Sequence, residues 1–277
     1  MKSKIRCDER EPLCFGLVRM EKFFRLSGLL LAGCLTQACS VSPPPDTVAP
    51  GETTRQIVAE RVSAVVVTEQ DSLSHWVSRN FSSSQTPGDA DGGSAAPIAP
   101  DGYFLTADHV LSRMAGRNVF LIYGQGGRLA PVKARVVWRS EEADMALLHV
   151  PVKTPYYYQW TPPDRWLPAG NVVIHGGIST GFRSADGKLS TTLGPESIFT
   201  GTRKFKIDIP LQPGDSGGPV VDAYGRLVGI NSAVEFLVPM ETAFFIDSEG
   251  NRPNTKMIAA LIENDRARNG GRRAAAE

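Results

Sequence analysis

Gly214-Asp215-Ser216-Gly217-Gly218-Pro219 puts a hydroxyl in a turn where three glycines permit backbone angles that other residues resist. A substrate carbonyl can come close to such a hydroxyl. The backbone N–H groups of Gly214 and Ser216 can then face the oxygen that turns negative in a tetrahedral intermediate, the largest stabilising device in acyl transfer. A serine hydroxyl alone is a weak nucleophile, so this chemistry needs a base. Thr106-Ala107-Asp108-His109-Val110 offers one of only four histidines in the chain. An imidazole with an ordinary pKa near ~6.5 suits proton transfer at neutral pH. Ala143-Asp144-Met145-Ala146-Leu147-Leu148 places one carboxylate at the start of an apolar run, where partial burial would let it fix the tautomer of a neighbouring imidazole. Asp101 and Asp108 are rival orienters. Asp108 adjoins His109 and so falls on another face of any local element.

At these three segments the chain resembles the trypsin-like serine proteases, including their bacterial stress-protease branch. Gly-Asp-Ser-Gly-Gly-Pro matches the nucleophile signature in full, Leu105 to Val110 looks like the base segment, and Asp144-Met145-Ala146-Leu147 looks like the acid segment. The order His, Asp, Ser agrees as well. The likeness runs from about Val58 to Ile262 and includes Val173 to Gly177 and Leu227 to Asn231, which look like flanking core strands. It implies an all-β body of two six-stranded antiparallel β-barrels, with the active site in the cleft between them and a C-terminal helix. His109 and Asp144 would come from the first barrel and Ser216 from the second. Implied, too, are a serine endopeptidase acting on proteins or peptides, an oxyanion hole at the Gly214 and Ser216 amides, and substrate contacts at Pro210, Ile230 and Asn231. No metal or cofactor is expected. The rival reading is a catalytically silent, lipid-anchored binding or scaffold protein that retains the fold.

The sequence departs from the family in ways that bear on substrate. The cysteines that flank base and nucleophile in animal members are missing. Gly93-Ser94-Ala95-Ala96-Pro97 replaces a tighter glycine pattern, which predicts a looser edge there. No peptide-binding module of the stress-protease kind is expected after the catalytic body. Pro210 stands where an acid would select Lys or Arg, so that preference is not implied, although Asp208 is near enough in sequence to reach the pocket.

The elements that must position these groups follow from the rest of the 277 residues. A formal charge of +1 supplies no basic field for nucleic acid. The basic cluster Arg266, Arg268, Arg272 and Arg273 predicts a solvated tail. Short apolar or alternating runs at Val62–Val67, Tyr103–Ala107, Val119–Tyr123, Val132–Trp138, Ala146–Val150, Val172–His175, Phe205–Ile209, Pro219–Val221, Leu227–Asn231 and Thr242–Ile246 predict strands. Ser82 to Ser94 predicts a flexible loop. Pro151 to Gly170 divides the body, and its run Tyr156-Tyr157-Tyr158-Gln159-Trp160 suits packing across that connection better than a binding platform. Ile258, Leu261 and Ile262 share a helical face.

All four cysteines, Cys7, Cys14, Cys34 and Cys39, precede the folded body. Positive charge at Lys22 and Arg25, a short apolar run to Ala32, and Leu31-Ala32-Gly33-Cys34 resemble a bacterial lipoprotein signal peptide. The likeness implies lipidation at Cys34 and a protein held on a membrane of the bacterial envelope, facing the periplasm. Met20 makes the more natural start. The expected organisation is an N-terminal extension and signal peptide over 1–33 and a lipidated, proline-rich tether over 34–54. The peptidase domain then spans 55–268, with barrels at about 55–150 and 169–250 and a helix at about 255–266. A disordered tail closes the chain over 269–277.

Overall fold

The computed structural model describes residues 50–77, 86–125, 128–162, 167–179, 183–191, 193–237 and 244–274. The signal-peptide segment, Cys34 and nearly all of the tether lie outside these residues. Seven strands make the first sheet: β1 (Ser63–Thr68), β2 (Asp91–Pro97), β3 (Tyr103–Thr106), β4 (Asn118–Gln125), β5 (Arg128–Lys133), β6 (Arg135–Ser140) and β7 (Met145–His149). Six make the second: β8 (Val172–Gly177), β9 (Arg183–Lys188), β10 (Thr202–Ile207), β11 (Pro219–Asp222), β12 (Leu227–Leu237) and β13 (Phe244–Pro253). Helix α1 (Glu52–Arg61) precedes them and α2 (Thr255–Ala274) follows. Every strand pairing is antiparallel.

The first sheet runs β5-β4-β1-β2-β3-β7-β6. Its two ends, β5 and β6, are separated in sequence by Ala134 alone, whose N–H donates to the Val119 carbonyl at 2.8 Å. The apolar run Val132–Trp138, expected as one strand, therefore turns a corner at Ala134. One bent strand serves both edges, so the seven-stranded sheet closes as the anticipated six-stranded barrel. The second sheet runs β10-β13-β12-β11-β8-β9. Its edges meet where Leu189 bridges Ile207, beside bonds from the Ser190 amide to the Lys206 carbonyl at 2.8 Å and from the Asp208 amide to the Lys188 carbonyl at 3.0 Å.

Alternation along β3 and β7 explains how the barrels join. Phe104, Ala146 and Leu148 point into the first barrel, among Val65, Val67, Leu121 and Val150. Tyr103, Leu105, Met145 and Leu147 point the other way, against Ile174, Val221 and Ile230 of the second sheet and Ile258 and Ile262 of α2. Both faces of these strands are dry, and burying each large side chain is worth ~1.5–3 kcal/mol. The second barrel has its own core around Val173, Phe205, Ile207, Val220 and Val228. Tyr158 is buried in the connection between barrels, whereas Tyr156 is exposed.

Three expectations change. α2 continues past Arg266 through Ala274, and Arg266 pairs with Asp101 at 2.6 and 2.7 Å, so the start of the supposed tail is helix anchored to the first barrel. The loop assigned to Ser82–Ser94 gives way to strand from Asp91, because β1 supplies a complete ladder partner. Glu52–Arg61, divided between tether and strand approach, is helical and buries Val58 against the interface.

Candidate active site

His109 stands in a short 3-10 turn, Asp108–Leu111, directly after β3. Asp144 stands at the entrance to β7, which pairs with β3 from Tyr103↔His149 to Thr106↔Ala146. That register brings the base and carboxylate to the same end of two neighbouring strands. Nδ1 of His109 lies 3.0 Å from both Asp144 carboxylate oxygens, and the His109 amide also donates to Asp144 Oδ1 at 3.0 Å. Asp144 has φ 45°, a left-handed angle that costs a non-glycine residue ~1–3 kcal/mol and persists only where surrounding bonds impose it. The rival carboxylates are engaged elsewhere. Asp108, almost wholly buried, takes a two-point ion pair from Arg139 at 2.7 and 2.9 Å, and Asp101 takes Arg266.

Ser232, which the sequence reading did not single out, joins the pair to Ser216. Its hydroxyl donates to Asp144 Oδ2 and its carbonyl accepts the Ser216 hydroxyl at 3.4 Å. No hydrogen bond between Ser216 and His109 forms among the described residues. The Ser216 hydroxyl is engaged by the Ser232 carbonyl on β12. Burial works to raise the Asp144 pKa, but bonds from the His109 ring, the Ser232 hydroxyl and the His109 amide outweigh it and hold the group down to about 2. The same ring contact with Asp144 raises the pKa of His109 above its ordinary value. The imidazole is half exposed, open to an incoming group.

The turn bearing Ser216 is clamped from both barrels. From β2, the Ser94 amide donates to the Ser216 carbonyl at 2.7 Å and the Ser94 hydroxyl to the Gly214 carbonyl at 2.7 Å. From β12, Asn231 accepts from the Gly217 amide and donates its own amide to the Gly218 carbonyl, each at 2.9 Å. Gly217 has φ +84°, and a Cβ there would lie 2.2 Å from the Ser94 carbonyl oxygen. The Gly93–Ser94 edge, expected to be loose, is thus a tight buried junction, with Ser94 fully enclosed. Within the turn, the amides of Gly214 and Ser216 donate to no acceptor among the described residues. Two unengaged amides beside a half-buried hydroxyl are the donors that an oxyanion hole would require.

The expected substrate contacts fare differently. Pro210 is exposed. Ile230 and Asn231 are fully buried, Ile230 in the interface between barrels and Asn231 beneath the Ser216 turn, so neither side chain faces a substrate. Asp208 turns its carboxylate to the Lys188 amide, closing the second barrel rather than reaching a pocket.

Residues 93–230 match the family described as Trypsin-like peptidase domain. Among curated proteins, the chain is 30% identical over 190 residues to a "Probable periplasmic serine endoprotease DegP-like" of Pseudomonas fluorescens, covering 62% of this chain and 38% of that protein. It is 30% identical over 152 residues to a protein of the same description from Bartonella henselae, covering 51% of this chain and 28% of that one. The chain therefore spans only about a third of the length of these relatives. Among solved structures, "HtrA-type protease AlgW with decapeptide" superposes with a TM-score of 0.55 at 21% identity, covering 76% of this chain and 66% of that one.

Proposed function

We propose that this chain, which belongs with the bacterial trypsin-like serine proteases through its domain at residues 93–230, is a serine endopeptidase. His109 takes the proton of Ser216 as the hydroxyl attacks a peptide carbonyl. Asp144 holds the imidazole in the tautomer with Nδ1 protonated and stabilises the imidazolium. The Gly214 and Ser216 amides receive the oxyanion, the leaving amine takes the proton from His109, and water repeats the cycle on the acyl-enzyme. The observation carrying this reading is the His109–Asp144 pair, tied through Ser232 to the Ser216 hydroxyl beside two unengaged amides. Hydrolysis of a quenched-fluorescent peptide library tests it. Wild-type turnover lost by several orders of magnitude in Ser216→Ala and His109→Ala supports it, and variants as active as wild type contradict it.

Attachment belongs to the same proposal. Leu31-Ala32-Gly33-Cys34 supports export and a lipid on Cys34, in keeping with relatives described as periplasmic. Mass spectrometry of the mature N-terminus decides it: a diacylglyceryl Cys34 is expected, and a peptide running unmodified through Cys34 refutes it. One observation favours the silent-scaffold reading, namely the Ser216 hydroxyl bonded to Ser232 rather than to His109. A folded wild type with no turnover on any peptide would select that reading.

A further inference from the structure

Asp215 and His175 form a second acid–imidazole pair that the proposed reaction does not use. Both side chains are wholly enclosed, with His175 Nε2 3.5 Å from Asp215 Oδ2. The pair lies directly beneath the Ser216 turn. Asp215 Oδ2 also accepts from the Gln212 amide at 3.0 Å and Oδ1 from the Ser179 amide at 3.1 Å. A Cβ on Gly177 would fall 2.0 Å from Oδ1, so the bare glycine backbone is what lets β8 close over the carboxylate. On its other side, His175 Nδ1 lies 2.5 Å from Asn231 Nδ2, which reaches the Asp215 carbonyl at 3.4 Å. With the Asn231 amide donating to Nδ1, the imidazole proton sits on Nε2 and faces the Asp215 carboxylate. At 3.5 Å that contact is electrostatic rather than a formed hydrogen bond, and Nε2 has no other partner.

A carboxylate without solvent must be balanced by donors and charge, or it takes a proton or turns outward. Among the described residues, His175 is the ionisable side chain that meets Asp215. Asp215 stands between Gly214 and Ser216, the two residues with unengaged amides, and its carboxylate bonds to the Gln212 and Ser179 amides pin the turn that carries them, so a carboxylate that turns outward releases that backbone to rotation. Gly214, at φ +103°, offers little steric resistance to such rotation.

We propose that His175 is a positioning residue, which holds the Asp215 carboxylate in place and thereby keeps the Gly214 and Ser216 amides aimed at the oxyanion. The role rests on the proteolytic reading of Ser216. It differs from a structural one because it is expressed in turnover rather than in stability alone.

The test compares wild type, His175→Leu, His175→Gln and the double variant H175L/D215N. Two readouts are taken: kcat and KM on a peptide substrate, and amide hydrogen exchange across residues 212–218. H175L is expected to lose ~10–100-fold in kcat, with KM within about twofold, because misaimed donors weaken the transition state selectively. Its 212–218 amides should exchange faster. H175Q, which keeps a side-chain N–H toward Asp215, should recover most of the loss, and H175L/D215N, with no buried charge left to balance, should do the same. H175L with wild-type kcat and wild-type exchange overturns the inference, even if its melting temperature falls. If H175L does not fold, the double variant decides: folded and within about tenfold of wild-type kcat supports the inference, and equal failure overturns it. A wild type that hydrolyses nothing while exchange at 212–218 still responds to H175L refutes the protease reading but leaves the hold of His175 on the turn standing.

Discussion

Ser232→Ala removes one hydroxyl from Asp144 and leaves the Ser232 carbonyl, which accepts from Ser216, in place. A hydrogen bond to a charged group is worth ~1.5–3 kcal/mol when nothing replaces it. The Asp144 side chain is 23% exposed, so water recovers part of that, and the two His109 bonds remain. About 1–2 kcal/mol should be lost where the imidazolium forms, or ~5–30-fold in kcat. KM should move little, because no substrate contact changes. Initial rates on a peptide substrate, measured alongside a thermal melt, give both values. In an Asp144→Ala background the Ser232→Ala effect should vanish, since the two side chains act through one contact. Wild-type kcat in S232A, or a loss confined to KM, would refute the view that Ser232 supports Asp144.

The pH profile follows from the same pair. His109 must be neutral to accept a proton, and Asp144 raises its pKa, so kcat/KM should fall as pH drops through a value above the ordinary 6.5. In Asp144→Asn this acid limb should shift to lower pH. Gly217→Ala should abolish turnover and lower the melting temperature, because its Cβ meets the Ser94 carbonyl oxygen and φ +84° is unfavourable for alanine. Arg139→Ala strands the buried Asp108 carboxylate beside His109. Arg139 is itself partly exposed, so the cost should fall to ~2–3 kcal/mol, a melting temperature lower by roughly 4–12 °C in a calorimetric scan.

The three proposed chemical residues stood out, and the apolar strands were legible, because each carries a local signal. Three glycines mark the turn, and Tyr103–Leu105 and Met145–Leu148 are continuous apolar runs that suit a strand buried on both faces. What escaped depended on partners distant in sequence. β2, Asp-Gly-Gly-Ser-Ala-Ala-Pro, has almost no intrinsic strand preference and exists because β1 and β3 pair with it. β9, Arg-Ser-Ala-Asp-Gly-Lys, is likewise recruited by β8. The corner at Ala134 leaves no mark in an apolar run. Ser232 looks like any strand serine until β12 is laid beside Asp144, and Asn231 looks like a wall residue until its burial is seen. His175 carries no motif, and its meaning comes from the enclosed carboxylate opposite.

Labelling folded wild-type protein with a fluorophosphonate probe, then mapping the adduct by mass spectrometry, tests the central claim most directly. One adduct on the Ser216 hydroxyl, absent in His109→Ala and slowed at low pH, is the predicted result. A folded protein that takes no label, or takes it at a serine other than Ser216, would contradict the account.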